Sequence, residues 1–463
     1  MARLHIFTKI TMAENKSGFS SSFGAIMAAA GSAIGLGNIW RFPYICGKYG
    51  GGAAIILYLA FVFLIGMTLL LSELVIGRRT GSTPMKAFEI MRPQRKGWRY
   101  VGLLGLITSF LILAIYLVIS GWTLNYFWES VTGTLSSIAD GDFANHFATF
   151  AASPLMPVVC LVVFMVLTLV IILGGVQNGI EKVSKILMPI LLVLVLLLCV
   201  RSLTLPGASK GLYYLFHPDF SLLTWEGVLA ILGQALFSLS VGMGVMIVYG
   251  SYIPKGDGLF KSAMWITVCD TAIAILAGVA IFPAVFAFDQ SPDGGPGLVF
   301  NVLPVVFNSM GNVGSIVFGG AFFLLLAVAA LTSAISLLEA LTAWGADYGK
   351  SRKRSAIILS IVLALVAVVA SFSFDGGILN DNKLAGMSFF DWLDKLTGSY
   401  LPPICALLTI IFFGWFMKKD DIHDELSNHG VLKISWFKVF YHILVRFVAP
   451  AALIVSLVAG IFT

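Results

Sequence analysis

Apolar stretches of about 20 residues recur along nearly the whole chain, and each is long enough to cross a roughly 30 Å hydrocarbon core as an α-helix. They fall at 20–46, 51–77, 98–128, 155–173, 180–204, 225–251, 257–288, 317–347, 354–373, 389–417 and 437–462. The pattern predicts an all-α polytopic membrane protein of about eleven spans. Composition agrees, since 59% of the residues are hydrophobic and 11% charged, against about 25% charged in soluble domains. A chain this apolar could not cover its own surface in water, so the lipid bilayer is its expected partner.

The net charge of +6 does not come from a basic groove with interleaved aromatics, and nucleic acid is not an expected partner. The basic residues sit between the apolar segments and read as topology signals. Arg78, Arg79, Lys86, Arg92, Arg95, Lys96 and Arg99 follow the second segment, and Lys350, Arg352, Lys353 and Arg354 follow the eighth. Stretches 129–154 and 289–316 on the opposite side hold no Lys or Arg. This asymmetry predicts a cytoplasmic N-terminus. The five cysteines mostly lie inside apolar runs, and their odd number argues against a disulfide framework. No processing site follows the first apolar stretch, so no cleaved signal is expected. The six histidines lie in loops or near segment ends without zinc or protease spacing, and no ring of charge or repeated filter appears. An intramembrane hydrolase and an ion channel are therefore poor readings, and no enzyme activity is expected.

Two segments are interrupted alike. The first reads Gly31-Ser32-Ala33-Ile34-Gly35-Leu36-Gly37-Asn38 and the sixth Phe237-Ser238-Leu239-Ser240-Val241-Gly242-Met243-Gly244. If segments 1–5 and 6–10 are two halves, each opens with a helix broken at a Gly-x-Gly, and an odd count of five makes the halves inverted. Paired, glycine-interrupted segments point to a transporter's midplane site. Close helix packing through small residues is the competing explanation.

Gly31 through Pro43 with Gly50-Gly51-Gly52-Ala53, Gly179-Ile180-Glu181-Lys182 with Met188-Pro189, Gln234 through Gly244, and Ala329 through Ser336 together resemble the neurotransmitter:sodium symporter family. The likeness runs from about residue 16 to the end and is strongest to the bacterial amino-acid branch. It implies a leucine-transporter-like fold of two inverted five-helix repeats with broken helices 1 and 6. Residues 1–19 would be a cytoplasmic segment and 20–463 one transporter domain, with repeats at about 20–204 and 225–417 and an extra helix at about 437–462. The implied function is sodium-coupled symport of hydrophobic or aromatic L-amino acids into the cell by alternating access, with two Na+ ions. The short termini add the expectation of a multi-pass protein of the bacterial inner (plasma) membrane. A membrane sensor that binds amino acids without moving them would carry the same site.

The resemblance also implies residue roles. Substrate would lie among Ala33, Gly35, Leu36, Gly37, Ile112, Tyr116, Phe237, Ser238, Ser240, Met243, Ser333 and Leu337, its carboxylate on the N–H groups near Leu36 and Gly37 and on the Tyr116 hydroxyl. Amine-carrying members have an aspartate where Gly35 stands, so a substrate here should bring its own carboxylate. Met243 is flexible and leaves room for larger side chains. One sodium would use Ala33, Asn38, Ser238 and Asp270, and a second Gly31, Ile34, Ala329, Thr332 and Ser333. A carboxylate at membrane depth is a functional-site hypothesis by default. Asp270 stands where chloride-dependent members have asparagine beside a bound anion, which implies chloride-independent transport. Arg41, Gln234 and Asp394 resemble an outer gate, and Lys16, Tyr252 and Asp347, with Ser251, an inner one. Gly179 and Pro189 match a helix-breaking pair. Against these stand blander readings: Tyr116 as an interfacial tyrosine, Thr332 and Ser333 bonded back to their own helix, the pocket side chains as core, and Gly179 and Pro189 as an ordinary start and kink.

Overall fold

The computed structural model describes residues 18–139, 141–288, 298–428, 430–431 and 435–462. Among these residues, nine helices are long and apolar enough to cross a membrane, and the bent pair Ser22–Ala33 and Gly37–Lys48 makes a tenth. The sixth predicted segment is instead two helices, Trp225–Ser238 and Val245–Tyr252, each too short to span alone. With that pair, every one of the predicted apolar segments has its counterpart.

The first span starts where the Ser21 hydroxyl accepts the Gly24 N–H at 3.1 Å, a serine N-cap. Its α-winding stops at Ile34, whose backbone is extended, and the chain resumes as a π-helical turn over Gly37–Arg41 with a bend of 52°. In the sixth span the break is sharper. Ser240, Gly242 and Gly244 have φ of 52°, 77° and 75°, left-handed values that end an α-helix. Glycine is required at 242, because a Cβ there would stand 2.3 Å from the Pro402 carbonyl oxygen.

Broken backbone inside a membrane needs other partners. The Glu73 carboxylate accepts the Gly242 N–H at 2.7 Å, and the Ser109 hydroxyl donates to the Met243 carbonyl at 2.6 Å. Side chains of the second and third spans thus replace the missing helical bonds of the sixth.

Span contacts come in duplicate. The first span packs on the seventh as the sixth packs on the second. The third packs on the fourth as the eighth on the ninth, and the fifth packs on the seventh as the tenth on the second. This is the contact pattern of two five-span halves of one architecture. The third and eighth spans form its centre, with 72% and 83% of their apolar windows buried against 33% for the fourth and fifth. The latter two turn Val162, Val163, Val166, Leu192, Val193 and Leu196 outward, a lipid-facing stripe.

Two glycines fuse the second span to the second helix of the sixth, Val245–Tyr252. A Cβ on Gly77 would sit 1.9 Å from the Ile247 carbonyl oxygen, and one on Gly250 would sit 2.5 Å from that of Leu74. Backbone meets backbone there, as small residues allow between membrane helices. Below this contact Arg78 is buried; it pairs with Glu425 at 2.7 Å and donates to the Asp257 carbonyl at 2.5 Å. At the other end of the molecule the short helix Phe143–Ala152 lies over the third span. His146 meets Glu129 at 2.8 Å, and Phe147 stacks on Phe300 at 5.2 Å.

Candidate functional site

The unwound stretches of the first and sixth spans face each other across a cavity closed by the third and eighth. Eleven of the twelve residues expected to hold substrate line it: Ala33, Gly35, Gly37, Ile112, Tyr116, Phe237, Ser238, Ser240, Met243, Ser333 and Leu337. The twelfth, Leu36, contributes backbone, and its N–H donates to the Tyr116 hydroxyl at 2.8 Å. Side chains at 35 and 37 would intrude. A Cβ on Gly35 would meet the Tyr116 and Ser333 hydroxyls at 2.4 and 2.5 Å, and one on Gly37 would meet the Phe237 ring at 3.0 Å. The walls are apolar where Ile112, Met243 and Leu337 stand.

Beside the cavity, Asp270 is fully buried. Its carboxylate accepts from Asn38 Nδ2 at 2.7 Å, from the Ser238 hydroxyl at 2.7 and 2.8 Å and from the Tyr58 hydroxyl at 3.3 Å. The Asn38 amide oxygen in turn accepts the Gly35 N–H at 3.1 Å, so the group is tied to the unwound backbone. Among the described residues no cation pairs with Asp270, and no cluster of three or more His, Cys, Asp or Glu side chains forms. What converges is one carboxylate with neutral oxygens, a donor set for a hard cation rather than a transition metal.

Across the first span, the eighth brings a second oxygen cluster. Thr332 donates to the carbonyls of Ala329 at 3.0 Å and Ile34 at 3.4 Å, and Ser333 to those of Ser32 at 3.1 Å and Ile34 at 3.5 Å. Gly31 packs so close that a Cβ would be 3.4 Å from Thr332 Cβ. The back-bonded reading of Thr332 is therefore realised together with the cross-span contact, because one hydroxyl reaches both carbonyls.

Two residues of the site escaped the sequence reading. Ser32 lines the cavity and bonds Ser336 at 2.7 Å, while its carbonyl takes the Ser240 hydroxyl at 2.9 Å. Its place inside the Gly31–Asn38 break was a usable signal. Tyr58 lies mid-helix in the second span with no local mark.

At one mouth of the cavity, the Arg41 guanidinium lies over the Phe237 ring, 5.5 Å from its centroid. Gln234 donates to the Gly37 carbonyl at 2.9 Å. Among the ion pairs of the described residues none joins Arg41 to Asp394. Lys16, expected in the other gate, lies outside the described residues. Asp347 accepts the Thr83 N–H at 2.7 Å. The Tyr252 hydroxyl goes to Glu339 at 2.6 Å, where Arg352 adds a two-pronged pair at 2.6 and 2.5 Å. Glu339 is thus the carboxylate that engages Tyr252, for Asp347 is turned to the start of the helix Pro84–Met91.

Comparison with known proteins fixes the family. Residues 16–146 and 153–463 match the sodium:neurotransmitter symporter family. The chain belongs to that family. It is 39% identical over 438 residues to the sodium-dependent transporter YhdH of Bacillus subtilis (strain 168), covering 94% of this chain and 96% of that one. A sodium-dependent transporter of Haemophilus influenzae is 34% identical over 462 residues, covering 96% and 98%. The crystal structure of MhsT in complex with L-phenylalanine superposes with a TM-score of 0.88 at 42% identity, covering 96% of this chain and all of that one. The protein is a sodium-dependent membrane transporter of the leucine-transporter-like fold and not an enzyme.

Proposed function

We propose that this symporter carries hydrophobic and aromatic L-amino acids into the cell together with two sodium ions, without need of chloride. The observation that carries the reading is the cavity between the two unwound segments, with the Tyr116 hydroxyl on the Leu36 N–H and apolar walls beyond. An α-carboxylate suits the backbone N–H groups where a helix is broken, and Gly35 leaves no competing charge. A side chain would then rest against Ile112, Met243 and Leu337. The L-phenylalanine bound by MhsT supports the same class.

One ion belongs with Ala33, Asn38, Ser238 and Asp270, where the substrate carboxylate would complete the shell. The other belongs with the carbonyls of Gly31, Ile34 and Ala329 and the hydroxyls of Thr332 and Ser333. The three donors on Asp270 support chloride independence, since a fixed carboxylate already occupies the place where an anion would be held. The outer gate would then be Arg41 stacked on Phe237, with Gln234 and Asp394, and the inner one Asp347 and Lys16, with Tyr252 held beside them by Glu339. The basic loops favour a cytoplasmic N-terminus in a bacterial plasma membrane.

Two ions with a zwitterion move two charges, each worth about 2.3 kcal/mol per 100 mV. A tenfold sodium gradient adds roughly 1.4 kcal/mol per ion. The total of about 7 kcal/mol sustains an accumulation near 10⁵-fold. The test is uptake of labelled phenylalanine, leucine, tryptophan and tyrosine into proteoliposomes with and without an inward sodium gradient. Chloride is exchanged for gluconate in a separate series. Sodium-driven accumulation indifferent to chloride is the expected result. Binding without accumulation would mean a sensor instead, and loss of uptake in gluconate would overturn chloride independence.

A further inference from the structure

The stretch that leads into the first span is held from two sides. On one side Phe19 is buried between Tyr249 and Tyr252 of the inner sixth span, with ring centroids at 5.7 and 5.8 Å, and its N–H donates to the Tyr252 carbonyl at 3.0 Å. On the other side stands Glu181, at the end of the π-helical turn Val176–Glu181 that opens the fifth span. Its carboxylate accepts the Ser20 N–H at 2.7 Å, the Ser20 hydroxyl at 2.6 Å and the Ser21 hydroxyl at 3.2 Å. Gln177 of the same turn donates to the Gly18 carbonyl at 2.8 Å. Gly24 makes room for all this, because a Cβ there would fall 2.0 Å from Glu181 Oε1.

This carboxylate sits where the partial positive charge of the first span's inner half is concentrated, and its bonds to Ser20 and Ser21 are charge-assisted. Glu181 is 1% exposed. Among the described residues its cationic partner is Lys185, one turn along its own helix, at 2.7 Å. The local winding is not α-helical: Gly175 precedes the turn with φ 80°, and Gly179 lies so close to Ile171 that a Cβ would be 2.1 Å from that carbonyl oxygen. Turns of this kind recur inside helices at functional sites. The turn carries Glu181, so a change in its winding bears directly on the bonds to Ser20 and Ser21.

We propose that Glu181 is the inner latch of the transport cycle: a positioning residue of the fifth span whose hydrogen bonds to Ser20 and Ser21 keep the inner half of the first span seated, and whose release permits the cytoplasmic opening. The proposal rests on the alternating-access reading above, but not on the identity of the substrate. Breaking the latch enlarges the inward-open population. Every ligand of the closed state then loses apparent affinity by the same factor, because each must first select the rarer state.

The experiment uses the full chain in lipid nanodiscs, with hydrogen–deuterium exchange of segments 18–33 and 174–182 read alongside sodium and L-phenylalanine titrations. Glu181→Gln keeps the shape but weakens the acceptor. It is expected to speed exchange in both segments about tenfold and to lower sodium and phenylalanine affinity by a common factor of similar size. Gly24→Ala, which displaces the carboxylate from the opposite side, is expected to reproduce the effect. The double variant should be no worse than either single one. A Glu181→Gln protein that exchanges like the parent, or that loses phenylalanine affinity while sodium affinity stays fixed, overturns the latch. Additive effects in the double variant overturn it as well. If phenylalanine binds neither parent nor variant, the substrate reading has failed, and the sodium titration and exchange still decide the latch.

Discussion

Tyr116 takes the Leu36 N–H on its oxygen, so its O–H is the group that would turn toward a substrate carboxylate. Such a bond to a charged partner is worth about 1.5–3 kcal/mol. Tyr116→Phe should therefore weaken phenylalanine binding by roughly 10- to 150-fold and leave thermal stability in detergent close to the parent's. An unchanged dissociation constant would remove Tyr116 from the site. Asp270 is argued from the same geometry. With Asn38, Ser238 and Tyr58 all donating to it, removal of its charge leaves donors facing an uncharged amide. Asp270→Asn should make uptake stimulated by chloride over gluconate, whereas the parent should be indifferent. Equal uptake by the variant in both anions would show that the carboxylate does not stand in for an anion.

At the scale of elements, the short helix Phe143–Ala152 carries a pH dependence whose sign can be worked out. The Glu129 carboxylate accepts from His146 and raises its pKa above the usual histidine value. A raised value means that the pair's stabilisation is complete below about pH 6.5 and is lost as pH climbs through the higher folded value. Asn125 also donates to Glu129, and Tyr126 faces the imidazole edge-on. Exchange of segment 143–152, corrected for intrinsic rates, should be slower at about pH 5.5 than at about pH 8.5, and His146→Gln should flatten the difference. A parent profile without pH dependence would show that the pair holds nothing. This helix was not legible in the sequence, which offered a stretch without Lys or Arg. Its order comes from aromatic contacts with Trp122, Tyr126 and Phe300, residues distant in the chain. The breaks in the first and sixth spans were legible as glycine patterns: Gly242 and Gly244 carry left-handed backbone, and Gly35 and Gly37 stand where a side chain would strike Tyr116, Ser333 and Phe237. So were the paired Thr332 and Ser333. Tyr58 was not, since a tyrosine on an apolar helix looks the same whether or not it reaches a carboxylate on another span. The break of the sixth span into two short helices was legible as a glycine pattern, yet apolar length alone had read it as continuous.

For the molecule as a whole, hydropathy delivered the spans and glycine pattern their inverted order, while the sorting of helices into core and periphery needed the packing. The third and eighth segments are no more apolar than the fourth and fifth, yet they are buried about twice as completely. The contacts of Gly77 and Gly250, with Arg78 anchoring Asp257 below them, have a use beyond stability. Two backbones that touch without intervening side chains cannot slide independently, so the pair is an internal ruler. Spin labels at Thr80 and Lys255 should give one narrow distance distribution in sodium-free buffer, in sodium, and in sodium with substrate. Any span that changes its separation from those labels can then be said to be the one that moved.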